Sequence, residues 1–362
     1  MLSCCWIQPR HLPAKVAEII PHSANRRQIR HGVLADVNEM WYHFREMSET
    51  SLAERKALIL TDGKAGHENQ SKAFARALGC GFDLLPVRFR SGPAKAASYL
   101  LDRVGAECAG LLSWPDEAET LAAKGYAAVI GAGSGTFYAA KTLARRLGVK
   151  CGVVLYPRGY RISSFDCILA PSFDRPAKAP NVVEIPANLV ASDAAFYEAG
   201  RAAFLERHSP KRAAAAVIVG GPNKCSTLTV DWMRAELERV FSECSGMEMW
   251  VTTSRRTPPD VEAVIDSFPF DYRLIYSRDR FNPIPAFVTL AKKLYVTAES
   301  TGMLSEACTF GTAEVYALDN LNPGGHKFRR FVDALKRDGY LNGSRKIDMK
   351  EQFAAARRLM GL

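Results

Sequence analysis

The chain has 362 residues, which is long enough for two domains of ordinary size. Its composition, 48% hydrophobic and 24% charged residues, is typical of a soluble globular protein, and no apolar run approaches the roughly 18 to 20 residues of a membrane-spanning helix. The nine cysteines are odd in number and form no CxxC pair, so the sequence predicts neither a zinc site nor a disulfide framework, but reduced thiols in a cytoplasmic protein.

The positive charge of the chain is concentrated at its end. The formal net charge is +10, and residues 324–362 carry ten Lys and Arg against four Asp and Glu, a surplus of +6. Such a surplus favours an anionic partner. We therefore predict either a phosphorylated substrate or peripheral contact with lipid headgroups at the inner face of a membrane. A solvated basic tail is the alternative.

Residues 1–55 differ from the rest of the chain. They hold four of the seven histidines and three prolines, without sustained hydrophobic periodicity. We predict a poorly structured N-terminal extension that does not belong to the fold. Met47 is the predicted true start, because MSETSLAERKALIL runs directly into the first strand.

From residue 56 onward, apolar strand-like runs alternate with helical patterns, as in parallel sheets. A first block, residues 56–190, is predicted as one Rossmann-like domain. Its predicted strands are 57–61, 84–89, 127–130, 151–156, 167–170 and 182–185. Residues 191–212 are predicted as a linker with helical character.

The alternation then restarts and predicts a second Rossmann-like domain over residues 213–345, with a closing helix in residues 346–362. The predicted strands of this domain are 214–219, 249–253, 272–276, 294–297 and 313–317. The predicted fold class is therefore α/β, with two Rossmann-like domains whose parallel sheets face a cleft. Open sheets of this kind bind ligands where their strands end.

The loop after the first strand, residues 62–70, carries the strongest chemical signal of the first domain. Gly63 and Gly66 allow close backbone approach to a ligand, and Lys64 supplies a cation at a helix N terminus. His67 and Glu68 are candidate catalytic bases. The alternative is a simple turn in which Glu68 favours the helix dipole.

A second glycine loop, residues 131–136, follows the strand at 127–130. It lacks the full spacing of the dinucleotide fingerprint, and no acidic residue follows at a second strand end, so an NAD site is not predicted. Its amides either line the cleft or allow close packing of strand and helix.

Three strand ends of the second domain carry groups suited to phosphate or ribose, namely glycines, cations, hydroxyls and carboxylates. Because the ends of parallel strands lie along one sheet edge, we predict that these groups bind the same ligand. The alternative for each loop alone is a structural turn. The candidate binding residues are Gly221, Asn223, Lys224, Ser254, Arg255, Arg256, Glu299, Ser300, Thr301, Met303, Ser305 and Glu306.

Other chemistries have no support in the sequence. No His, Cys, Asp and Glu spacing suits a metal, neither a P-loop nor a GxSxG elbow is present, and basic and aromatic residues are not interleaved as in an RNA-binding sheet. We predict no metal, no cofactor and no nucleic-acid partner.

Five motifs, in order, resemble those of the mitochondrial fission "elongated mitochondria" family in its bacterial branch. The resemblance spans about residues 56–340. The motifs are DGKAGHENQ (62–70), VGGPNK (219–224), TTSRRTPP (252–259), NPIPAFVTLAKKLYVTAEST (282–301) and GMLSEA (302–307). The chain departs from the common family pattern in reading ESTGM at 299–303 and Tyr156-Pro157 after the fourth strand.

The resemblance implies a fold similar to GT-B glycosyltransferases, with a cleft for a nucleotide sugar. In similar enzymes a glutamate at the position of Glu306 holds the ribose, and the first glycine-rich loop supplies a base. The spacing of Glu299 and Glu306, one residue short of that in retaining enzymes, favours an inverting mechanism. Plant members of the family help a dynamin-related protein to reach the outer mitochondrial membrane.

Two hypotheses follow. In the first, the protein is a metal-independent, inverting glycosyltransferase in which His67 or Glu68 deprotonates an anionic or lipid-linked acceptor and the nucleotide sugar is a substrate. In the second, it is a non-catalytic scaffold that binds a dynamin-like or other protein partner. The presence of His67, Lys224, Arg255 and Glu306 together favours a working cleft.

Overall fold

The computed structural model describes residues 55–114 and 118–362, without the side chains of residues 118 and 119. The predicted N-terminal extension, apart from Arg55, and the predicted start at Met47 lie outside the described residues.

The first strand, β1 (Lys56–Thr61), and the helix that follows it, α1 (Ala65–Ala77), begin the fold. The KALILT sequence is apolar on both faces of the strand. Ala57 and Ile59 pack into one core cluster, and Leu58 and Leu60 into another on the opposite face. A strand buried on both faces is typical of the centre of a parallel sheet.

The elements of the first sheet that follow α1 are β2 (Gly81–Pro86), β3 (Arg88–Phe89), α2 (Gly92–Arg103), β4 (Leu112–Ser113), α3 (Ala118–Ala122), β5 (Ala128–Ala132), α4 (Phe137–Leu147), β6 (Lys150–Val154), β7 (Cys167–Pro171) and β8 (Val182–Ile185). Six parallel strands form this sheet, in the order β2-β1-β5-β6-β7-β8, and β3 pairs antiparallel with β4.

The second strand begins three residues earlier than predicted, at Gly81 instead of residue 84. It lies at the sheet edge, where a proline is tolerated because its missing N–H faces no partner strand. Its pairing with β1 runs from Lys56 opposite Gly81 to Thr61 opposite Pro86. The predicted strand 84–89 therefore combined the end of β2 with β3, although β3 pairs with β4 in a separate two-stranded sheet.

The elements of the second half are α5 (Ala194–Arg207), β9 (Ala214–Val219), α6 (Val230–Glu243), β10 (Glu248–Thr253), α7 (Pro259–Asp266), β11 (Tyr272–Leu274), α8 (Ile284–Leu290), β12 (Lys293–Thr297), α9 (Thr301–Thr309), β13 (Glu314–Leu318), α10 (Lys327–Arg337) and α11 (Lys350–Met360). The second sheet has the order β11-β10-β9-β12-β13, with all strands parallel. This is the order of a doubly wound Rossmann sheet, whose topological switch point lies between β9 and β12.

The central strand β9 repeats the burial of β1. Ala216 and Ile218 face the core cluster that β1 also joins, whereas Val217 and Val219 face a cluster on the outer side of the second sheet. The predicted α/β fold class with two Rossmann-like parallel sheets is confirmed.

Two helices connect the domains. Helix α5 packs on the second sheet, where the ring centroid of Phe204 lies 5.0 Å from Trp250 and 4.7 Å from Tyr272. Helix α11 returns to β6, β7 and β8 of the first sheet, and Arg357 Nε donates to the Ala77 carbonyl at 2.6 Å. The predicted domain boundaries stay predictions.

Within the described ranges, no helix combines the length and the apolar content needed to cross a bilayer.

Candidate functional site

A cleft of about 520 Å³ lies where strands of the two sheets end. Residues of α1, the connection 188–192 and α9 line it together. Six of the predicted site residues are among the lining residues: Gly66, His67, Ser300, Thr301, Met303 and Glu306. The other lining residues are Asn69, Gln70, Leu155, Phe173, Ile284, Gly302, Lys327, Phe328 and residues 188–192.

Two helix N termini face this cleft from opposite walls. The capping residues of α1 and α9, Lys64 and Ser300, make no side-chain capping hydrogen bond. A Cβ built on Gly66 or on Gly302 meets no atom within 4 Å, so both first turns border open space. Uncapped first-turn amides and the positive ends of two helix dipoles favour an anion between them.

A histidine–aspartate pair stands on the first-domain wall. His67 Nδ1 lies 3.1 Å from both carboxylate oxygens of Asp62. Burial raises the pKa of Asp62, but the hydrogen bond from Lys64 and the neighbouring His67 outweigh it and hold this pKa below its ordinary value. When Nδ1–H donates to the ionised Asp62, Nε2 has a free lone pair, and no described residue is hydrogen-bonded to it. This is the arrangement of a general base.

The second glycine loop packs against this pair. A Cβ on Gly133 would lie 2.3 Å from His67 Cε1, and a Cβ on Gly135 would lie 2.6 Å from an Asp62 oxygen. Gly133 also has φ +80°, which side chains rarely adopt. Close approach to the His67–Asp62 pair therefore explains both glycines.

Glu68, the other predicted base, points to different partners. It accepts from Thr61 Oγ1 at 3.0 Å and forms an ion pair with Lys72 at 2.7 Å. The hydrogen bond from Lys72 lowers the pKa of Glu68, which weakens it as a base. Gly63 and Lys64 also lie outside the cleft lining, and Lys64 Nζ donates to Asp62 at 3.1 Å.

Glu306 stands on the opposite wall, one and a half turns into α9. Tyr197 OH donates to its Oε1 at 2.9 Å, and burial raises the pKa of Glu306. In the part of the chain that the structure describes, Oε2 has no hydrogen-bond partner. Glu306 can therefore accept from a ligand hydroxyl in the cleft.

Glu299 is occupied by the protein itself. Only 2% of it is exposed, and its carboxylate accepts from Gly221 N, Thr297 Oγ1 and Asn320 Nδ2 at 2.8, 3.1 and 2.8 Å. A Cβ on Gly220 would lie 1.9 Å from its Oε1. Glu299 thus holds the Gly220-Gly221 loop against β12.

The start of α9 is tied to the connection between the domains. Asn188 Nδ2 donates to Thr301 Oγ1 at 3.1 Å, and Asn188 N donates to Ser305 Oγ at 3.2 Å. Ser305 is fully buried, and its hydroxyl donates back to the Thr301 carbonyl. Ser305 therefore positions the helix and does not line the cleft.

The remaining predicted residues lie on neighbouring loops outside the cleft lining. Asn223 Oδ1 accepts from Cys225 N in a tight turn, and Ser254 Oγ accepts from Arg256 N. Both loops meet at Thr257, whose hydroxyl donates to the Gly220 carbonyl at 2.6 Å. The exposed cations of these loops are Lys224, Arg255 and Arg256.

The sequence model of the family described as "Mitochondrial fission ELM1" matches residues 65–358. The chain belongs to this family. No curated protein matches this chain significantly.

Three solved structures are similar to this ELM1-family protein. UDP-GlcNAc 2-epimerase from Methanocaldococcus jannaschii is 12% identical, with 84% of this chain and 98% of that chain covered and a TM-score of 0.45. MurG from Acinetobacter baumannii is 14% identical, with 84% and 92% covered and a TM-score of 0.44. ADP-heptose lps heptosyltransferase II from E. coli is 8% identical, with 78% and 99% covered and a TM-score of 0.41.

Four site residues of this ELM1-family protein were not among the predicted ones. Asp62 lies in the predicted loop 62–70, but its spacing to His67 did not predict that the two side chains form a hydrogen-bonded pair. Tyr197 and Asn188 lie 109 and 113 residues from their partners Glu306 and Thr301, so no local pattern connects them. Gln70 lines the cleft with a buried Oε1 that has no partner among residues 55–114 and 118–362.

Proposed function

We propose that this ELM1-family protein is a metal-independent, inverting glycosyltransferase that uses a nucleotide sugar. One observation carries the proposal: two uncapped helix N termini face a single cleft, with the His67–Asp62 pair on one wall and the Glu306 carboxylate on the other. The helix N termini suit a diphosphate, Glu306 suits a ribose hydroxyl, and the His67–Asp62 pair suits an acceptor hydroxyl.

The donor binds mainly to the second domain. Its diphosphate accepts from the first-turn amides of α9 around Gly302, where the helix dipole stabilises the charge that develops on the leaving group. Glu306 Oε2 accepts from a ribose hydroxyl, and Tyr197 keeps the carboxylate oriented through Oε1. Lys327, an exposed cation on the cleft lining, adds positive charge near the phosphates.

The acceptor hydroxyl approaches His67. Its proton passes to Nε2 while its oxygen attacks the anomeric carbon of the sugar, and the bond from that carbon to the diphosphate breaks on the opposite face. Asp62 stabilises the imidazolium that forms. Lys224, Arg255 and Arg256 attract anionic substrates to the same sheet edge.

The test is thermal unfolding of the full chain with a panel of nucleoside diphosphates and nucleotide sugars. A ligand at about 100 times its dissociation constant stabilises by about 2.7 kcal/mol, which raises the unfolding midpoint by several degrees. We expect one nucleotide class to give this shift and Glu306→Gln to lose most of it.

Glu314→Gln is the matched control, because Glu314 also accepts from a tyrosine, Tyr316 OH at 2.7 Å, but lies outside the cleft lining. The Glu314→Gln variant should keep the rise in unfolding midpoint that the nucleotide causes. If no nucleotide stabilises the wild-type chain, the proposal fails and the scaffold hypothesis, with a protein partner, takes its place.

A further inference from the structure

Helix α2 buries two polar side chains on its inner face, beside Tyr99 stacked on Tyr160, and leaves a large apolar side chain exposed on its outer face. The buried residues of α2 are Ala94, Ser98 and Asp102. On the outer face, Leu100 is 63% exposed and Val104, directly after the helix, is 77% exposed. These two side chains are four residues apart, so they lie side by side on the helix surface. A surface helix normally turns its large apolar side chains toward the core.

The inward polar residues have structural partners that explain their burial. Ser98 Oγ lies 2.8 Å from Tyr160 OH. Asp102 forms an ion pair with the buried Lys141 at 2.8 Å and accepts from Arg161 N at 2.6 Å. These partners hold α2 in place without Leu100 or Val104. The outer apolar pair is therefore not needed for packing of the described fold.

Two arginines flank this apolar pair. Arg103 is exposed between Leu100 and Val104 and has no ion-pair partner in the described part of the chain. The guanidinium nitrogens of Arg161 lie 3.5 Å from a Cβ built on Gly105, which directly follows Val104. The nearby Asp102 is fully buried and lies 3.9 Å from Arg161 Nε, while the Arg161 side chain remains 46% exposed and can also meet a ligand. An apolar pair with flanking cations and no exposed acid on its helix fits an anionic lipid surface.

The same helix is connected to the cleft. In its first turn, Lys95 Nζ donates to Ser134 Oγ at 3.0 Å. Ser134 belongs to the glycine loop, and the neighbouring Gly133 packs against His67. A surface bound by the outer face of α2 therefore lies near the wall of the cleft that carries His67, the proposed base.

We propose that α2 docks the protein on an anionic lipid surface. Leu100 and Val104 enter the interfacial region, and Arg103 and Arg161 meet the headgroup phosphates. Several basic residues near the C terminus are less available, because Arg329 pairs with Asp319, Arg330 Nε donates to the Phe173 carbonyl and Lys346 Nζ donates to the Ala307 carbonyl. Docking does not require catalysis, so its failure would leave the proposed glycosyltransferase function open.

The experiment is flotation of the full chain with vesicles of phosphatidylcholine alone or of equal parts phosphatidylcholine and phosphatidylglycerol. We expect tighter binding to the mixed vesicles. Leu100→Gln with Val104→Gln should weaken that binding at least about tenfold, and Arg103→Gln about fivefold on mixed vesicles only. Because all three positions are exposed, the unfolding midpoint should stay unchanged.

Leu205→Gln and Arg234→Gln are matched controls on α5 and α6, since both residues are exposed and lie on other helices. They should bind vesicles as the wild type does. Equal binding by the Leu100/Val104 double variant would overturn the proposal. So would a dimer in sedimentation that the double variant dissociates, because the apolar pair would then contact a second copy.

Discussion

Replacing His67 by alanine should lower kcat for sugar transfer about 10²- to 10⁴-fold, the usual contribution of a general base. The stabilisation of the fold by the donor nucleotide should remain, because in the proposed arrangement His67 contacts the acceptor and Glu306 binds the ribose. Asp62→Asn should also lower kcat, since the amide cannot stabilise the imidazolium and permits the wrong tautomer.

The measurement is release of nucleoside diphosphate from the donor that the unfolding panel selects, at saturating donor and acceptor. Glu68→Gln is the informative comparison, because Glu68 is the neighbouring carboxylate that pairs with Lys72. It should retain nearly full turnover. If Glu68→Gln loses turnover and His67→Ala keeps wild-type turnover, Glu68 and not His67 is the general base.

Replacing Glu248 by alanine should destabilise the fold by about 3–5 kcal/mol. Glu248 is 3% exposed, and its carboxylate accepts from the backbone amides of Lys211 and Arg212, from Trp250 Nε1 at 3.0 Å and pairs with His208 Nε2 at 2.9 Å. Without the carboxylate, these donors are left unpaired where α5 leads into the second sheet.

The loss of stability in Glu248→Ala should become smaller as the pH falls. Burial raises the pKa of Glu248, but the donors from Lys211, His208 and Trp250 outweigh it and lower this pKa to about 2 from 4.5. A lowered carboxyl pKa stabilises the native state fully above pH 4.5, and this contribution disappears as the pH falls toward 2.

Urea unfolding of the wild type and Glu248→Ala at several pH values measures both effects. The difference in free energy of unfolding should be largest at neutral pH and should shrink steadily below pH 4.5. Glu198→Ala is the control, because Glu198 forms an exposed pair with Arg201 and should change stability by less than about 0.5 kcal/mol. A pH-independent deficit for Glu248→Ala would contradict the assigned ionisation.

The central strands could be predicted because burial on both faces leaves an uninterrupted apolar run. Ala214–Val219, buried at every position, has the predicted bounds. The edge strand Val182–Ile185 also has the predicted bounds, because three of its four residues are apolar and β-branched. The edge strand Gly81–Pro86 was not placed correctly, since Gly81 and Asp83 interrupt the apolar pattern at its start. The order of the strands within each sheet required the structure.

The position of the candidate site also followed from the strand ends, but the roles of individual side chains did not. His67 and Glu68 are adjacent, yet a helix turns about 100° per residue, so one lines the cleft and the other pairs with Lys72. Likewise Glu306 faces the cleft, whereas Glu299 binds Gly221 and Asn320. Which face is inward depends on packing partners far away in the chain.

Amide hydrogen exchange of the full chain, with and without the nucleoside diphosphate selected by unfolding, tests most directly whether the cleft holds the donor. We expect slower exchange with the nucleotide at residues 300–306, with a smaller effect at residues 66–70 on the facing wall. Protection confined to the loops around Lys224 and Arg255, or no change at either wall of the cleft, would contradict the proposed donor site.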